Sequence, residues 1–296
     1  MTLPVFADPE SGVLDDIVDL DRYPIDQPLS EGFRRQVAEV VTRLTVDGSV
    51  QLPGFLRASA VADLQHQLGE LQRYVPITRD YRSAYARDIG DLSGDLSGDE
   101  SVTLDSEWMA GHITRDMIPP HSLAQRIYVA PGFKQFIAAC LGRERIFEYA
   151  DPLAGLVATV LPPGGTYGWH YDTTEFVVTM SVSDAESGGE FEYVPALRQV
   201  GNENLDGLRR VLEGDRGLVK TISAKPGDLQ LFLGRHSLHR VTRVAGHRSR
   251  LMLVLAYADN PGVIGPIDRT RRVYGRVTEA HLTQEWRPAG SDGLIL

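Results

Sequence analysis

Residues 165–182 read GTYGWHYDTTEFVVTMSV, and the residues around His170 and Asp172 have the composition of a β-strand. Residues two apart on a strand project from the same face of a sheet. The His170 imidazole and the Asp172 carboxylate are therefore predicted to lie side by side. On its own such a pair is more often a simple hydrogen bond than a metal site, so a metal site requires a third ligand from elsewhere in the chain.

A second strand with a histidine occurs in RHSLHRVTRVAGHRSRLMLVLAY, residues 235–257. His239 offers a third ligand from a distant strand, and two histidines with one carboxylate are the ligand set of non-haem Fe(II) oxygenases. His236 is a rival, but it lies three residues before His239 and would face the other side of the strand. We predict a metal site made of His170, Asp172 and His239.

The segment from 145 to 258 is predicted to form a β core, because short apolar runs alternate there with turns rich in Gly and Pro. So many short strands suggest a sandwich or barrel, and the fold class is mainly β with N-terminal helices. The predicted strands are 145–149, 154–161, 166–172, 175–183, 189–194, 217–223, 228–233, 238–244 and 250–258.

The first half of the chain predicts helices that pack on this core. Residues 1–30 read as an extended arm on the surface. Residues 86–107 carry a tandem Asp-Leu-Ser-Gly and a run of acids, which predicts either a mobile surface loop or a lid over an active site. The predicted helices are 31–46, 58–75, 121–141 with an interruption at Pro131–Gly132, and a short one at 203–213; a strand is predicted at Val50–Phe55.

Composition narrows the class of protein. The chain has 296 residues, 42% hydrophobic and 24% charged, which is ordinary globular usage. The net charge of −10 disfavours a nucleic-acid partner. The single cysteine, Cys140, excludes an intrachain disulfide and is expected to be a buried, inert thiol.

We expect one domain over 1–296, with a helical part at 1–144, the β core at 145–258 and a C-terminal extension at 259–296. The N-terminal residues lack the basic and apolar regions of a signal peptide, and the apolar run Leu251–Ala258 is too short to cross a bilayer. A cytoplasmic protein with no membrane partner is therefore expected.

With these motifs the sequence resembles the Fe(II)/2-oxoglutarate-dependent dioxygenases. The resemblance implies a double-stranded β-helix, a jelly-roll or cupin-like core, with Fe(II) on His170, Asp172 and His239, 2-oxoglutarate as cofactor and O2 as co-substrate. The match is closer to a branch that contains bacterial amino-acid hydroxylases and related free-amino-acid halogenases. The segments that carry this closer likeness are 149–153, 168–172, 188–195, 261–265 and 274–276.

Asp172 bears on the reaction that this branch implies. In the halogenases a small residue replaces the carboxylate and leaves a coordination position for chloride. The presence of Asp172 points instead to hydroxylation of an amino acid or small amino-acid-like compound, in secondary metabolism, with release of succinate and CO2. Desaturation, cyclisation or epimerisation with the same cofactors is an alternative, and so is a barrel that binds a small ligand without oxidising it.

In the superfamily a basic residue on a later strand holds the distal carboxylate of 2-oxoglutarate, and two arginines compete for this role. Arg248 and Arg250 are two apart, so they are expected to share a strand face. The planar guanidinium suits bidentate binding of a carboxylate. The spacing after His239 favours Arg248, whereas a longer turn at Ala245–Gly246 would favour Arg250.

Three residues are candidates for substrate contact. Asp151 could pair with a substrate ammonium group, although Asp before Pro also favours a turn. Thr174 shares parity with His170 and Asp172, and Tyr274 lies in a segment of likeness to the family. The flanking Trp169 and Tyr171 have the opposite parity and are expected to pack in the core, while Glu175 should make an outward contact. The remaining histidines, His66, His112, His121, His247 and His281, are interpreted as ordinary surface or core residues.

Overall fold

A curled antiparallel sheet of eleven strands carries the molecule, whose computed structural model describes residues 14–85 and 106–283. The strands are β1 (Ser49–Leu52), β2 (Thr78–Arg82), β3 (Ser106–Ile113), β4 (Phe147–Glu148), β5 (Leu156–Leu161), β6 (Thr166–His170), β7 (Val177–Ser183), β8 (Phe191–Val194), β9 (Lys220–Ile222), β10 (Leu229–Phe232), β11 (Leu238–Val241), β12 (Arg250–Leu255) and β13 (Tyr257–Ala258). Strands β4 and β13 form a separate pair. The predicted series of short strands after residue 145 is confirmed.

Two halves of the sheet meet at β3. One half has the order β1-β10-β7-β12-β5, and the other has the order β6-β11-β8-β9. The later residues of β3 pair with β5 at Gly111–Ile113, whereas its earlier residues pair with β6 at Trp108 and Met109. Strand β2 pairs with the other edge of the early part of β3. Strand β3 therefore joins the two halves of the sheet, because it pairs with β5 of one half and with β6 of the other.

Strands β2 and β3 were not predicted from the sequence. The expected loop over 86–107 is wrong at its end, because Ser106 and Glu107 begin β3; its residues 86–105 lie outside the described part of the chain. Gly111 in β3 has no room for a side chain, since a Cβ there would lie 2.6 Å from Val75 Cγ1 and 2.8 Å from Ile77 Cδ1. This close approach fixes the strand by tertiary contact rather than by an alternating pattern.

The helices are α1 (Glu31–Asp47), α2 (Ala58–Leu71), α3 (Leu123–Val129), α4 (Pro131–Cys140), α5 (Leu205–Leu212), α6 (Ile267–Tyr274) and α7 (Glu279–Thr283). The first begins where the Ser30 hydroxyl accepts a hydrogen bond from Phe33 N and ends at Gly48, with φ of 65°. The break predicted at Pro131 separates α3 from α4, and α6 and α7 were not predicted. Within the described ranges no helix is long and apolar enough to span a bilayer.

The main core lies between helices α1–α4 and the half of the sheet that contains β7, β12 and β5. The segment that precedes α1 belongs to it, because Ile17, Val18 and Ile25 are fully buried. The expectation of a surface arm is therefore wrong for residues 14–25. Cys140 is buried in the same core, as predicted. The mainly β fold class with N-terminal helices is confirmed.

Candidate metal centre

Pairing of β6 with β11 brings the two predicted histidine ligands together. His239 is the direct cross-strand partner of His170, and their ring centroids are 4.0 Å apart. The register shifts between His239 and Val241, which marks a bulge in β6 around Gly168. A Cβ on Gly168 would lie 1.9 Å from Ser106 Cβ, so glycine is required where β3 crosses. The bulge therefore lets the start of β3 lie over the ligand strand.

Asp172 completes the cluster from just beyond the strand. Strand β6 ends at His170, and the Asp172 N–H then donates to Gly234 O at 3.1 Å. The Asp172 carboxylate oxygens lie 4.0 Å from His170 Nε2 and 3.6 Å from His239 Nε2. One ligand atom from each of the three residues lies within 4.8 Å of the others. The three side chains converge as the sequence predicted.

The carboxylate has a cradle that fits it closely. A Cβ on Gly234 would lie 1.8 Å from Asp172 Oδ2, so a larger residue there would displace the carboxylate. Within residues 14–85 and 106–283, Asp172 Oδ2 is buried without a hydrogen-bond donor. A buried acceptor that lacks a partner is uncommon and points to an ion or ligand.

The histidine tautomers suit metal binding. His170 Nδ1 lies 2.8 Å from Gly168 O, and His239 Nδ1 lies 2.9 Å from Ser237 O. A carbonyl oxygen only accepts, so each Nδ1 carries the proton and each Nε2 keeps its lone pair. Backbone carbonyls orient metal-bound histidines in this way in many sites. Both Nε2 atoms therefore face Asp172 as free ligands.

The charge state of the cluster is also suitable. Burial, followed by the neighbouring His239, lowers the pKa of His170 to about 3. Burial disfavours the Asp172 carboxylate, but His239, His170 and Arg269 together hold its pKa below the usual range. At neutral pH the site thus offers a neutral imidazole and a carboxylate, and its residues fit a divalent iron ion.

Aromatic rings pack around the ligands. The Trp108 ring lies 4.4 Å from the His170 ring, and Phe232 lies 4.8 Å from His239. Trp108 was not predicted as a neighbour of the ligands, because β3 was not predicted. The available signal was a tryptophan in SEWMAGHI, and its place beside His170 follows from the pairing of β3 with β6.

The two candidate arginines have opposite surroundings. Arg248 precedes β12 and its side chain is 54% exposed. It binds the backbone carbonyl oxygen and the carboxylate of Asp184. Arg250 begins β12 and is buried, and its guanidinium has no hydrogen-bond or ion-pair partner in the described residues. The expected shared strand face is therefore wrong, because the turn after Ala245 extends through Ser249. The preference for Arg248 does not agree with its exposed position.

Tyr167 connects Arg250 to the metal ligands. It interacts electrostatically with Arg250, and its ring centroid lies 6.3 Å from that of His170. The bulge at Gly168 changes the parity of the strand, which explains why Tyr167 turns to the same side as His170. Gly189 leaves space for Arg250, since a Cβ there would lie 3.1 Å from Arg250 Cδ. Burial lowers the pKa of Arg250 to about 10, so it remains cationic at neutral pH.

Tyr274 and His112 extend this group of side chains. The Tyr167 hydroxyl and His112 Nε2 are hydrogen-bonded at 2.9 Å. The Tyr274 ring packs edge-on against His112, with centroids 5.6 Å apart. Burial lowers the pKa of His112 to about 4, which keeps it neutral. Tyr274 therefore lies beside the site, and His112 belongs to its surroundings rather than to the general surface or core.

Asp151 is occupied by structural contacts. Its side chain is fully buried, with Oδ1 accepting from Leu153 N at 2.8 Å and Ala154 N at 2.9 Å. Its Oδ2 accepts from Gly265 N at 2.9 Å and lies 3.1 Å from His281 Nε2. The predicted contact with a substrate ammonium does not agree with this geometry, because both oxygens are already used.

The other sequence expectations have mixed outcomes. Thr174 lies half-buried in a bend, so the shared strand face expected from its parity is wrong. Trp169 and Tyr171 pack in a separate apolar cluster with Val194 and Leu238, as predicted. Glu175 binds Arg143 at 2.6 Å on the outside, also as predicted. His236 is not part of the ligand cluster.

Comparison with known proteins adds a family and a fold. Residues 102–271, more than half of the chain, match the model of the family described as halogenase D. No curated protein matches the chain.

Three solved structures have a similar fold. One is AviO1 from Streptomyces viridochromogenes Tue57, with TM-score 0.52, 16% identity and coverage of 77% of this chain and 97% of that one. Another is the α-ketoglutarate-dependent epimerase SnoN from nogalamycin biosynthesis, with TM-score 0.51, 13% identity and coverage of 76% and 83%. The carbocyclase SnoK from the same biosynthesis has TM-score 0.50, 13% identity and coverage of 80% and 88%. At these identities the likeness shows the fold alone, which is the double-stranded β-helix implied by the sequence.

Proposed function

Because the chain belongs to the halogenase D family and is a 2-oxoglutarate-dependent dioxygenase, we propose that it hydroxylates an unactivated C–H bond of a free amino acid or small amino-acid-derived compound. The reaction would release succinate and CO2. Secondary metabolism is the proposed setting.

The metal ligands of the proposal are His170, Asp172 and His239. Their support is the convergence of two free Nε2 atoms on a carboxylate whose Oδ2 has no donor in the described residues. Bound iron, with 2-oxoglutarate and O2, supplies the oxidation of a C–H bond. The protein's part is to hold the ligands in one protonation state and to exclude water around them.

Arg250 is proposed to hold the distal carboxylate of 2-oxoglutarate, with Tyr167 beside it. A buried cation without a counter-charge is unfavourable, and an anionic cofactor would supply that charge. Arg250 is 8% exposed, and no acidic group of the described chain pairs with it. Arg248 already binds Asp184 and is not part of the proposal.

Hydroxylation rather than chlorination is supported by one observation. In the proposed site the third ligand is Asp172, whose carboxylate lies directly against Gly234. The halogenases that the sequence resembles have a small residue at this position, which makes room for chloride. Because this site keeps the carboxylate where the halogenases make room for chloride, it favours transfer of oxygen.

An anaerobic titration of metal-free protein with Fe(II) and then 2-oxoglutarate tests the cofactors. We expect a weak visible charge-transfer band, which should shift when a substrate from an amino-acid panel is added. Correctly folded protein that gives no band would reject the oxygenase and leave a barrel that binds a small ligand without oxidising it.

Admission of O2 to the same mixture tests the reaction. Mass spectrometry in the presence of chloride is expected to find a product heavier by one oxygen atom and no chlorinated product. A chlorinated product would overturn the assignment from Asp172. A product lighter by two hydrogens, or one of unchanged mass and inverted configuration, would favour desaturation, cyclisation or epimerisation instead.

A further inference from the structure

Arg82 is a second buried cation beside the metal centre. It ends β2, its side chain is 11% exposed, and its Nε donates to Asp80 Oδ2 at 2.7 Å. In the described part of the chain no acceptor meets its two terminal nitrogens. Asp80 and Arg82 share a face of the strand, so the aspartate holds one edge of the guanidinium and leaves the other edge open.

Trp108 connects this cation to the ligand histidine. Strands β2 and β3 pair with Asp80 opposite Trp108 and Arg82 opposite Ser106. The Arg82 guanidinium carbon lies 4.8 Å from the centroid of the Trp108 ring, and that ring lies 4.4 Å from the His170 ring. A group bound at Arg82 and Trp108 would therefore lie close to the metal ligands.

The Trp108 indole carries an unused donor. Its Nε1 is buried, and no acceptor of residues 14–85 and 106–283 reaches it. Indole N–H groups only donate, and buried donors are nearly always satisfied. The two open guanidinium nitrogens and the orphan N–H form a site with spare donors, and among the described residues Asp80 is the acid that contacts Arg82. A carboxylate is the common biological group that supplies acceptors and negative charge together.

We propose that Arg82 and Trp108 anchor the carboxylate of the substrate, with Asp80 as the residue that positions Arg82. The inference rests on the proposed function and deepens it, because it requires a substrate with a free carboxylate and excludes its amide. Arg250 stays assigned to 2-oxoglutarate. Arg269 of α6 is the rival cation, since it also influences Asp172 and Tyr274 electrostatically.

The test uses the anaerobic Fe(II)–2-oxoglutarate protein and measures affinity from the shift of its charge-transfer band. The probes are the proteinogenic L-amino acids, each compared with its own carboxamide. The variants are Arg82→Gln, Arg82→Lys, Trp108→Phe and Arg269→Gln. Trp108→Phe keeps an aromatic ring against His170 and removes the indole N–H together with part of the ring system. Arg79→Gln is the matched control, because Arg79 lies on the same strand, is 60% exposed and pairs with Glu107.

We expect the wild-type protein to bind at least one free acid and not its carboxamide. Arg82→Gln should weaken binding of that acid about 10- to 100-fold, the range for loss of a charged hydrogen bond. Trp108→Phe should weaken it about 3- to 10-fold. Arg82→Lys should recover part of the loss, and Arg79→Gln should match the wild type. The affinity for 2-oxoglutarate should not change in any variant.

Several results would overturn the anchor. These are equal binding of acid and carboxamide, wild-type affinity in Arg82→Gln, transfer of the loss to Arg269→Gln, or weaker 2-oxoglutarate binding in Arg82→Gln. A panel in which no free acid shifts the band would also overturn it. A wild-type protein without any band would instead reject the proposed function, and the anchor with it. A normal band with an unaffected Arg82→Gln removes only the anchor.

Discussion

Two buried aspartates, Asp172 and Asp151, were both singled out from the sequence, and the structure gives them opposite surroundings. Asp172 lies beside His170 and His239, the proposed ligand histidines, with Oδ2 lacking a donor in the described residues. Asp151 accepts three backbone N–H groups and lies against His281. The Asp172 carboxylate keeps an oxygen that can accept from a ligand, whereas both oxygens of Asp151 accept hydrogen bonds within the chain.

The difference gives a criterion that residue type alone lacks. Thr278 N–H donates to His281 Nδ1, so the ring proton lies on Nε2 and is donated to Asp151. Asp151 thereby links the loop before β5 to Gly265 and α7. A satisfied buried carboxylate indicates structure, and an unsatisfied one beside histidines indicates a metal.

The largest effect is expected at Asp172. Asp172→Ala removes one of the three proposed ligands, so we expect turnover to fall to background and Fe(II) to stop stabilising the protein. In the wild type, Fe(II) at a hundred times its dissociation constant should add about 2.7 kcal/mol to the unfolding free energy. Anaerobic thermal unfolding with and without Fe(II) measures this. Stabilisation or turnover equal to wild type in Asp172→Ala would remove Asp172 from the metal centre.

Asp151 should respond in the opposite manner. Asp151→Asn turns two accepting contacts of Oδ2 into donor–donor contacts, and each unsatisfied buried donor costs about 1–3 kcal/mol. We expect the unfolding free energy to fall by about 2–5 kcal/mol in urea denaturation. Fe(II) binding should persist at low temperature.

Asp184→Asn is the matched control for this loss of stability. Asp184 pairs with exposed Arg248, and a surface pair contributes about 0–1 kcal/mol. If Asp151→Asn were no less stable than Asp184→Asn while catalysis was lost, the two aspartates would not differ in the way described.

The same contrast explains what the sequence could predict. Strands β5 to β12 were predicted because each is an apolar run between Gly or Pro turns, and the ligands because their spacing is local. The turn at Asp151 was predicted and agrees with its contacts to Leu153 N and Ala154 N. Its contacts with Gly265 and His281 were not predicted, since these residues lie 114 and 130 positions away. Strand β3 lacks alternation of polar and apolar residues, and helix α6 (IDRTRRVY) is too polar to carry a clear pattern, so their places depend on long-range packing.

Arg250 and Arg248 differ in the same way as the two aspartates, because the Arg250 side chain has no hydrogen-bond or ion-pair partner in the described residues and Arg248 pairs with Asp184. Arg250→Gln should raise the 2-oxoglutarate concentration needed for half-maximal band formation about 10- to 100-fold, because a buried charged hydrogen bond is lost. Arg248→Gln should leave it unchanged, since Arg248 binds Asp184 on the outside. Anaerobic titration of both variants decides between them. The reverse order of effects would return the cofactor role to Arg248.

The protonation of the metal-free centre gives an effect that is small for each unit of pH. Burial lowers the pKa of His170 to about 3, whereas in the unfolded chain it is about 6.5. Between these values the unfolded state binds the proton and the folded state does not. The stability of the metal-free protein is therefore full above pH 6.5 and falls with pH from there towards pH 3, by about 1.4 kcal/mol per unit from this residue.

Urea denaturation of metal-free protein at a series of pH values measures that slope. His170→Gln should be shallower than the wild type over this interval, and His66→Gln, at an exposed position on α2, should keep the wild-type slope. A slope that His170→Gln leaves unchanged would mean that His170 accepts a proton as readily in the folded protein as in the unfolded chain. The centre would then lack the free Nε2 lone pair of His170, which separates it from the contact in which His281 donates its Nε2 proton to Asp151.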